Sequence, residues 1–115
     1  MSIHRMQTGA RMSHIVIDAG IVYLAGQVAR TGASVAEQTA DVLARIDDLL
    51  AEAGADKTRL LTANIWLRDI RTFDEMNGIW DLWVPAGCAP ARVCVETKFP
   101  ADHVKVEIQV SARQL

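Results

Sequence analysis

Two charged residues in apolar surroundings carry the chemistry this sequence could perform. Pro90-Ala91-Arg92-Val93-Cys94-Val95-Glu96 puts a guanidinium into a β-prone run just after a turn rich in Gly, Ala and Pro. Further on, a second β-prone run, Val104 to Val110, carries Glu107 at its middle. A planar guanidinium grips a carboxylate through two parallel hydrogen bonds. A carboxylate can hold a water and take its proton. The pair would suit acid–base work on a small anion, provided both groups face a pocket rather than solvent. Read singly, each has a plainer explanation: an arginine at a strand edge is commonly a surface charge, and a glutamate alternating with apolar residues is commonly a solvent-facing position. Cys94 alternates with Arg92, so the two share a strand face, although a lone cysteine is most often a small buried hydrophobe. Asn77 is a polar residue on a helical stretch. Gly26, inside an apolar strand, marks a bulge or a close backbone approach, and Gln27 after it suggests the rim of a pocket.

Metal chemistry has no such support. His4, His14 and His103 are scattered, without an HExxH pair or carboxylates at ligand spacing, so no metal or other cofactor is assigned. Cys88 and Cys94 form neither a disulfide framework nor a zinc pattern; reduced thiols and a cytoplasmic location are the expectation. No GxSxG, Walker or GxGxxG signature occurs. Twelve Lys and Arg against 14 Asp and Glu leave a net charge of −2, with no basic stripe, so no nucleic-acid partner is expected. The longest apolar runs are far shorter than a membrane span, and the first residues lack the apolar core of a signal peptide. The chain of 115 residues, half of them hydrophobic, reads as one domain over residues 1–115.

The elements that must position Arg92 and Glu107 follow from periodicity. Residues 1–12 carry no period. Ser13 to Asp18 and Ile21 to Val28 read as a hairpin about Asp18-Ala19-Gly20. Ser34-Val35-Ala36-Glu37 matches a capping box, and the helix it opens runs to Gly54 as a left-handed cap. Leu60 to Ile70 reads as a strand with Leu61, Ala63, Ile65 and Leu67 on one face and Thr62, Asn64 and Trp66 on the other. Thr72-Phe73-Asp74-Glu75 matches a second capping box, for a helix that buries Phe73, Met76, Trp80 and Trp83 and stops at Pro85. Two strands close the chain. The first holds Arg92, with Val93 and Val95 marking it as buried. The second alternates Val104, Val106, Ile108, Val110 and Ala112 with His103, Lys105, Glu107, Gln109 and Ser111.

This order, ββαβαββ, predicts an α+β fold: a mixed sheet with two helices packed on one face. The other face keeps Thr62, Asn64, Trp66, Glu107 and Gln109, and parity brings Arg92 and Cys94 onto a shared face expected to be the same one. No third layer remains in the chain to cover it. A homo-oligomer with clefts between its subunits is the expected solution.

Several segments then carry a resemblance to a known family. Tyr23-Leu24-Ala25-Gly26-Gln27, Asn64-Ile65-Trp66-Leu67-Arg68-Asp69-Ile70, Met76-Asn77, Pro90-Ala91-Arg92-Val93-Cys94-Val95-Glu96 and Val106-Glu107-Ile108 resemble the RidA/YjgF (Rid) family, from about residue 11 to the C-terminus. The loop after Gln27 and Met76-Asn77-Gly78-Ile79-Trp80 look like its YoaB-like branch. The resemblance implies a chorismate-mutase-like fold, a homotrimer with sites between subunits, and hydrolysis of 2-imino or 2-enamino acids to 2-oxo acids and ammonia without a cofactor. It implies that Arg92 binds the substrate carboxylate, Glu107 positions water, and Cys94, Gly26 and Asn77 line the pocket. It departs from the archetype at Met12, where many members carry a tyrosine that closes over the substrate, and at Ala25, where they carry a hydroxyl. The alternatives are a non-catalytic trimeric binder of small carboxylates or 2-oxo acids and, with less support from the charge, an RNA-cleaving translation inhibitor.

Overall fold

Helix α1 (Val35–Glu52) begins at the capping box the sequence spells out. Ser34 Oγ accepts from the Glu37 amide at 3.0 Å, and Glu37 Oε1 accepts from the Ser34 amide at 3.1 Å. Past its far end Gly54 turns at φ +76°, in the left-handed region that favours glycine. The computed structural model describes residues 2–115. Helix α2 (Phe73–Trp83) starts differently from the expectation. Thr72 makes no side-chain cap; its hydroxyl donates to the Asp69 carbonyl at 2.6 Å, inside a short 3₁₀ turn at Ile70–Thr72 that leads into the helix. Glu75 reaches across instead and accepts from the Ala36 amide at 2.8 Å, so it caps the first turn of α1. The Thr72–Glu75 box is therefore not formed: the preceding 3₁₀ turn has already engaged its hydroxyl.

The strands are β1 (His4–Thr8), β2 (Ser13–Asp18), β3 (Ile21–Leu24), β4 (Gln27–Val28), β5 (Leu60–Leu67), β6 (Ala91–Glu96) and β7 (Val106–Arg113). They form one sheet in the order β1-β2-β3-β7-β5-β6, with β4 also pairing with β7. Only β5 and β6 pair in parallel, across the α2 crossover. Strand β1 falls in the stretch that showed no period; it adds to the sheet edge with His4, Arg5, Gln7 and Thr8 exposed and only Met6 half-buried. The long returning strand expected over Ile21–Val28 is broken at Ala25-Gly26 into β3 and β4.

Both helices lie over one face. Under them Ile15, Val22, Leu24, Ala63, Ile65, Leu67, Val106, Ile108, Val110 and Ala112 are buried, together with Ile46 and Leu50 of α1 and Met76 and Trp80 of α2. Two assignments change. An irregularity in the β5–β7 register between Leu60 and Thr62 puts Leu60 into the core and turns Leu61 out, 41 % exposed. Phe73, expected in the core, stays 37 % exposed at the start of α2.

One polar side chain ties the helical layer to the sheet. Gln38 is 1 % exposed. Its amide nitrogen donates to the Gly32 carbonyl at 3.1 Å and the His103 carbonyl at 2.8 Å, and its oxygen accepts from the Lys105 amide at 2.9 Å. This fixes the loop before α1 against the approach to β7, the strand that carries Glu107. Gln38→Ala removes three hydrogen bonds made by a buried side chain and is expected to cost about 1–3 kcal/mol in urea denaturation. A loss below about 0.5 kcal/mol would show that the tie does not bear on stability.

Candidate functional site

Arg92 and Glu107 do not share a face. In the parallel β5–β6 register Arg92 stands beside Ala63 and Cys94 beside Ile65, both on the side under the helices. Glu107 stands beside Trp66, Gln109 beside Asn64 and Ser111 beside Thr62, all on the side the helices leave open. Val93 and Val95, expected to be buried, occupy that open side at 56 % and 49 % exposure, because β6 is the edge strand. The expected common face for Arg92, Cys94 and Glu107 is thus corrected: Arg92 and Cys94 lie on one side of the sheet and Glu107 on the other.

The first half-site is built from β6 and α2. Arg92 Nη1 donates to Asn77 Oδ1 at 2.8 Å. The guanidinium carbon lies 5.2 Å from the Trp80 ring centroid and 5.8 Å from that of Phe73. Phe73, Asn77 and Trp80 recur at helical spacing on one face of α2, so a single helix supplies both aromatic partners and the amide. Among the described residues the one ion pair is Arg71–Asp69, so the Arg92 charge is oriented but not neutralised. It opens on a cavity of about 490 Å³ lined by Asp74, Asn77, Gly78, Trp80 and Asp81. Asn77, implied as a pocket wall, is here the hydrogen-bond partner that sets the arginine's direction. The sequence places Trp80 and Phe73 in the core; their helical spacing with Asn77 is what marks them as partners of Arg92. Cys94 lies half-buried against the core, and burial raises its thiol pKa against a smaller lowering by Arg92. A thiol held neutral by burial is a poor nucleophile, and Cys94 does not line the cavity at Arg92.

The second half-site is built from β7 and the break between β3 and β4. Burial pushes the Glu107 carboxyl up from its ordinary value of 4.5. Gly26 explains where that carboxylate fits: a Cβ at Gly26 would collide with Glu107 Oε2 and lie 3.0 Å from its Cδ. The close backbone approach expected at Gly26 is therefore an approach to Glu107. Gln27 points the other way, 1 % exposed. Its nitrogen donates to His14 Nδ1 at 3.1 Å and to the Ala25 carbonyl at 3.0 Å, and its oxygen accepts from Arg45 Nη2 at 3.1 Å. These bonds pin β4 to α1 and hold Gly26 in place. Met12, at 47 % exposure, and half-buried Ala25 make no side-chain hydrogen bond.

A separate cavity of about 510 Å³ lies at the start of α1, lined in part by Ser34, Arg68, Glu75 and Lys105. Its polar groups are engaged: Arg68 donates to the carbonyls of Val104 and Ala101, and Lys105 Nζ to that of Ala33. No group of three His, Cys, Asp or Glu among the described residues is placed to hold a metal ion. No helix of the described residues is long and apolar enough to cross a membrane.

The chain as a whole is similar to known proteins. The sequence matches the family model described as Endoribonuclease L-PSP over residues 2–114. It is 40% identical over 112 residues to the RutC family protein YoaB of Escherichia coli K12, covering 97% of this chain and 98% of that one. It is likewise 40% identical over 114 residues to a RutC family protein of Haemophilus influenzae, covering 97% and 98%. The fold superposes on the crystal structure of a YjgF family member from Neisseria meningitidis with a TM-score of 0.98 and 47% identity, over 100% of this chain and 97% of that one. The chain belongs to the YjgF/RidA family, whose model carries the name endoribonuclease L-PSP.

The sign of the Glu107 shift gives a test. An acid whose pKa is raised by burial favours its neutral form in the folded state, so its contribution to stability is lost as pH rises from 4.5 through the raised value. Glu107→Gln removes that loss. The stability of wild type relative to this variant is expected to fall over that window in urea titrations at stepped pH, and a constant difference would contradict the buried carboxylate. Gly26→Ala pushes the carboxylate toward water, and its pKa by ¹³C NMR titration is expected to move back down toward 4.5 while the fold is kept.

Proposed function

We propose that this protein hydrolyses small 2-imino or 2-enamino acids to 2-oxo acids and ammonia, at a site completed by two copies of the chain. Membership of the YjgF/RidA family supports a Rid-type role. The observation that carries the reading to this chemistry is the Arg92 guanidinium, aimed and unneutralised at a cavity. A carboxylate is the natural counter-ion for its free donors.

Arg92, Asn77 and Cys94 of one copy would face Gly26 and Glu107 of the next. The open sheet face, with Tyr23, Val93 and Val95 exposed at 49 %, 56 % and 49 %, is the surface that a second copy would cover. A homotrimer brings every copy's two faces into use at once, and clefts between subunits are natural small-molecule sites.

The chemistry needs little. The carbon of a C=N bond is already electrophilic, so positioning the substrate and a water accounts for much of the barrier. Arg92 holds the carboxylate and so sets the C=N plane. Glu107, ionised above its raised pKa, takes a proton from water as the oxygen adds to carbon. Glu107 passes that proton to the nitrogen, giving the neutral carbinolamine; it then takes the hydroxyl proton and delivers it to the nitrogen as the C–N bond breaks, so that ammonia leaves and the C=O bond forms. Cytoplasmic imines formed by other enzymes would be the substrates. A binder of 2-oxo acids would need the Arg92 half-site alone. RNA cleavage finds little support in a net charge of −2 without a basic stripe.

With imines generated in situ, wild type is expected to accelerate release of 2-oxo acid and ammonia. Arg92→Ala should abolish that acceleration, and Glu107→Gln should reduce it by about 10²–10⁴-fold. Absence of acceleration by wild type for every imine tried would favour the binder. Co-expression of Arg92→Ala with Glu107→Gln should restore about a quarter of the sites, each combining an intact Arg92 from one copy with an intact Glu107 from another. No recovery from the mixed assembly would overturn the shared site.

A further inference from the structure

The cavity at Arg92 holds more negative than positive charge. Asp74 and Asp81 stand one on each side of Asn77 and Gly78 along α2, and both line the cavity. Both are exposed, and neither has an ion-pair partner among the described residues. The cavity therefore presents one fixed cation and two carboxylates. Arg92 is half-buried against Asn77 and Trp80, whereas the two aspartates lining the same cavity are exposed.

A ligand with one carboxylate neutralises Arg92 and leaves the two aspartates facing whatever the ligand carries next. A second carboxylate on the ligand would then meet like charge; an aliphatic, hydroxyl or ammonium group would not. Gly78 adds room. A Cβ there would meet nothing within 4 Å, so packing does not require glycine at this helical position. Its effect is to leave the cavity wall bare between Asp74 and Asp81.

Building on Arg92 as the carboxylate clamp, we propose that Asp74 and Asp81 set the substrate class: acids with a neutral or cationic side chain are accepted, and those with a second carboxylate are rejected. The rejection is electrostatic, so it is a matter of discrimination between ligands rather than of overall affinity.

Titration calorimetry with 2-oxobutanoate and 2-oxoglutarate reads this without turnover. Wild type is expected to bind the monoacid about tenfold more tightly at low salt, with the preference narrowing as salt rises. The Asp74→Asn/Asp81→Asn double variant should lower the preference by at least about threefold, mainly by tightening the diacid. Asp81→Asn alone, which leaves the first turn of α2 untouched, should give a partial change in the same direction. An unchanged preference in both variants, each folded by circular dichroism, overturns the charge filter while Arg92 stands. Arg92→Ala binding the monoacid as tightly as wild type overturns the clamp, and the filter with it; so does a wild type that binds neither acid.

Discussion

Everything in this fold depends on β7 being two-faced in a protein with helices on one side only. Val106, Ile108, Val110 and Ala112 are buried at 0 %, 0 %, 2 % and 0 % exposure, and the residues between them must then point away from the helices. The period of a strand is two, so no local adjustment could bring Glu107 under the helices without turning the apolar set out. Pairing of β7 with β5 extends the same division to Trp66 and Asn64, and the pairing of β5 with β6 extends it to Arg92 and Cys94 on the helix side. The separation of cation and carboxylate follows from core burial, before any chemistry is considered.

That separation also shows which parts of the site were legible in the sequence. Alternation within β7 and the Ser34 box are local patterns, and both appear in the structure as read. The relative register of β5 and β6 is not local. It depends on where a parallel crossover through α2 sets the strand down, and nothing in Pro90–Glu96 encodes whether Arg92 lands beside Ala63 or beside Asn64. Parity within β6 grouped Arg92 with Cys94 correctly but could not say which face they shared. Val93 and Val95 misled for a related reason: β-branched residues suit an edge strand as well as a buried one. The Thr72 box failed because Thr72 Oγ1 had a nearer acceptor in Asp69, a competition that a four-residue pattern cannot display.

The Arg92 half-site shows how a fixed cation can be kept without being neutralised. An acidic partner at hydrogen-bond distance would hold the guanidinium more firmly, but it would also compete with an incoming carboxylate. A neutral amide and aromatic faces orient the group while leaving its charge available. The arrangement draws on one face of α2, so the helix that covers β6 also aims it. Gln38 and Glu75 matter here indirectly. Glu75 joins the start of α2 to the first turn of α1, and Gln38 joins α1 to the approach of β7, so the two half-sites are braced by the same helical layer.

Glu107 presents the complementary problem. A carboxylate that takes a proton near neutral pH benefits from partial burial, which raises its pKa, but burial against a side chain would crowd it. The break between β3 and β4 resolves this by placing Gly26, with no Cβ, against the carboxylate, while Gln27 turns inward to His14 and Arg45 and prevents the break from relaxing. The two groups do not meet within one chain. Arg92 stands on the helix side with Asn77 and Trp80, and Glu107 on the open side against Gly26. The open face thus combines exposed apolar residues, Tyr23, Val93 and Val95, with a partly buried carboxylate, and both follow from helices packed on one side only.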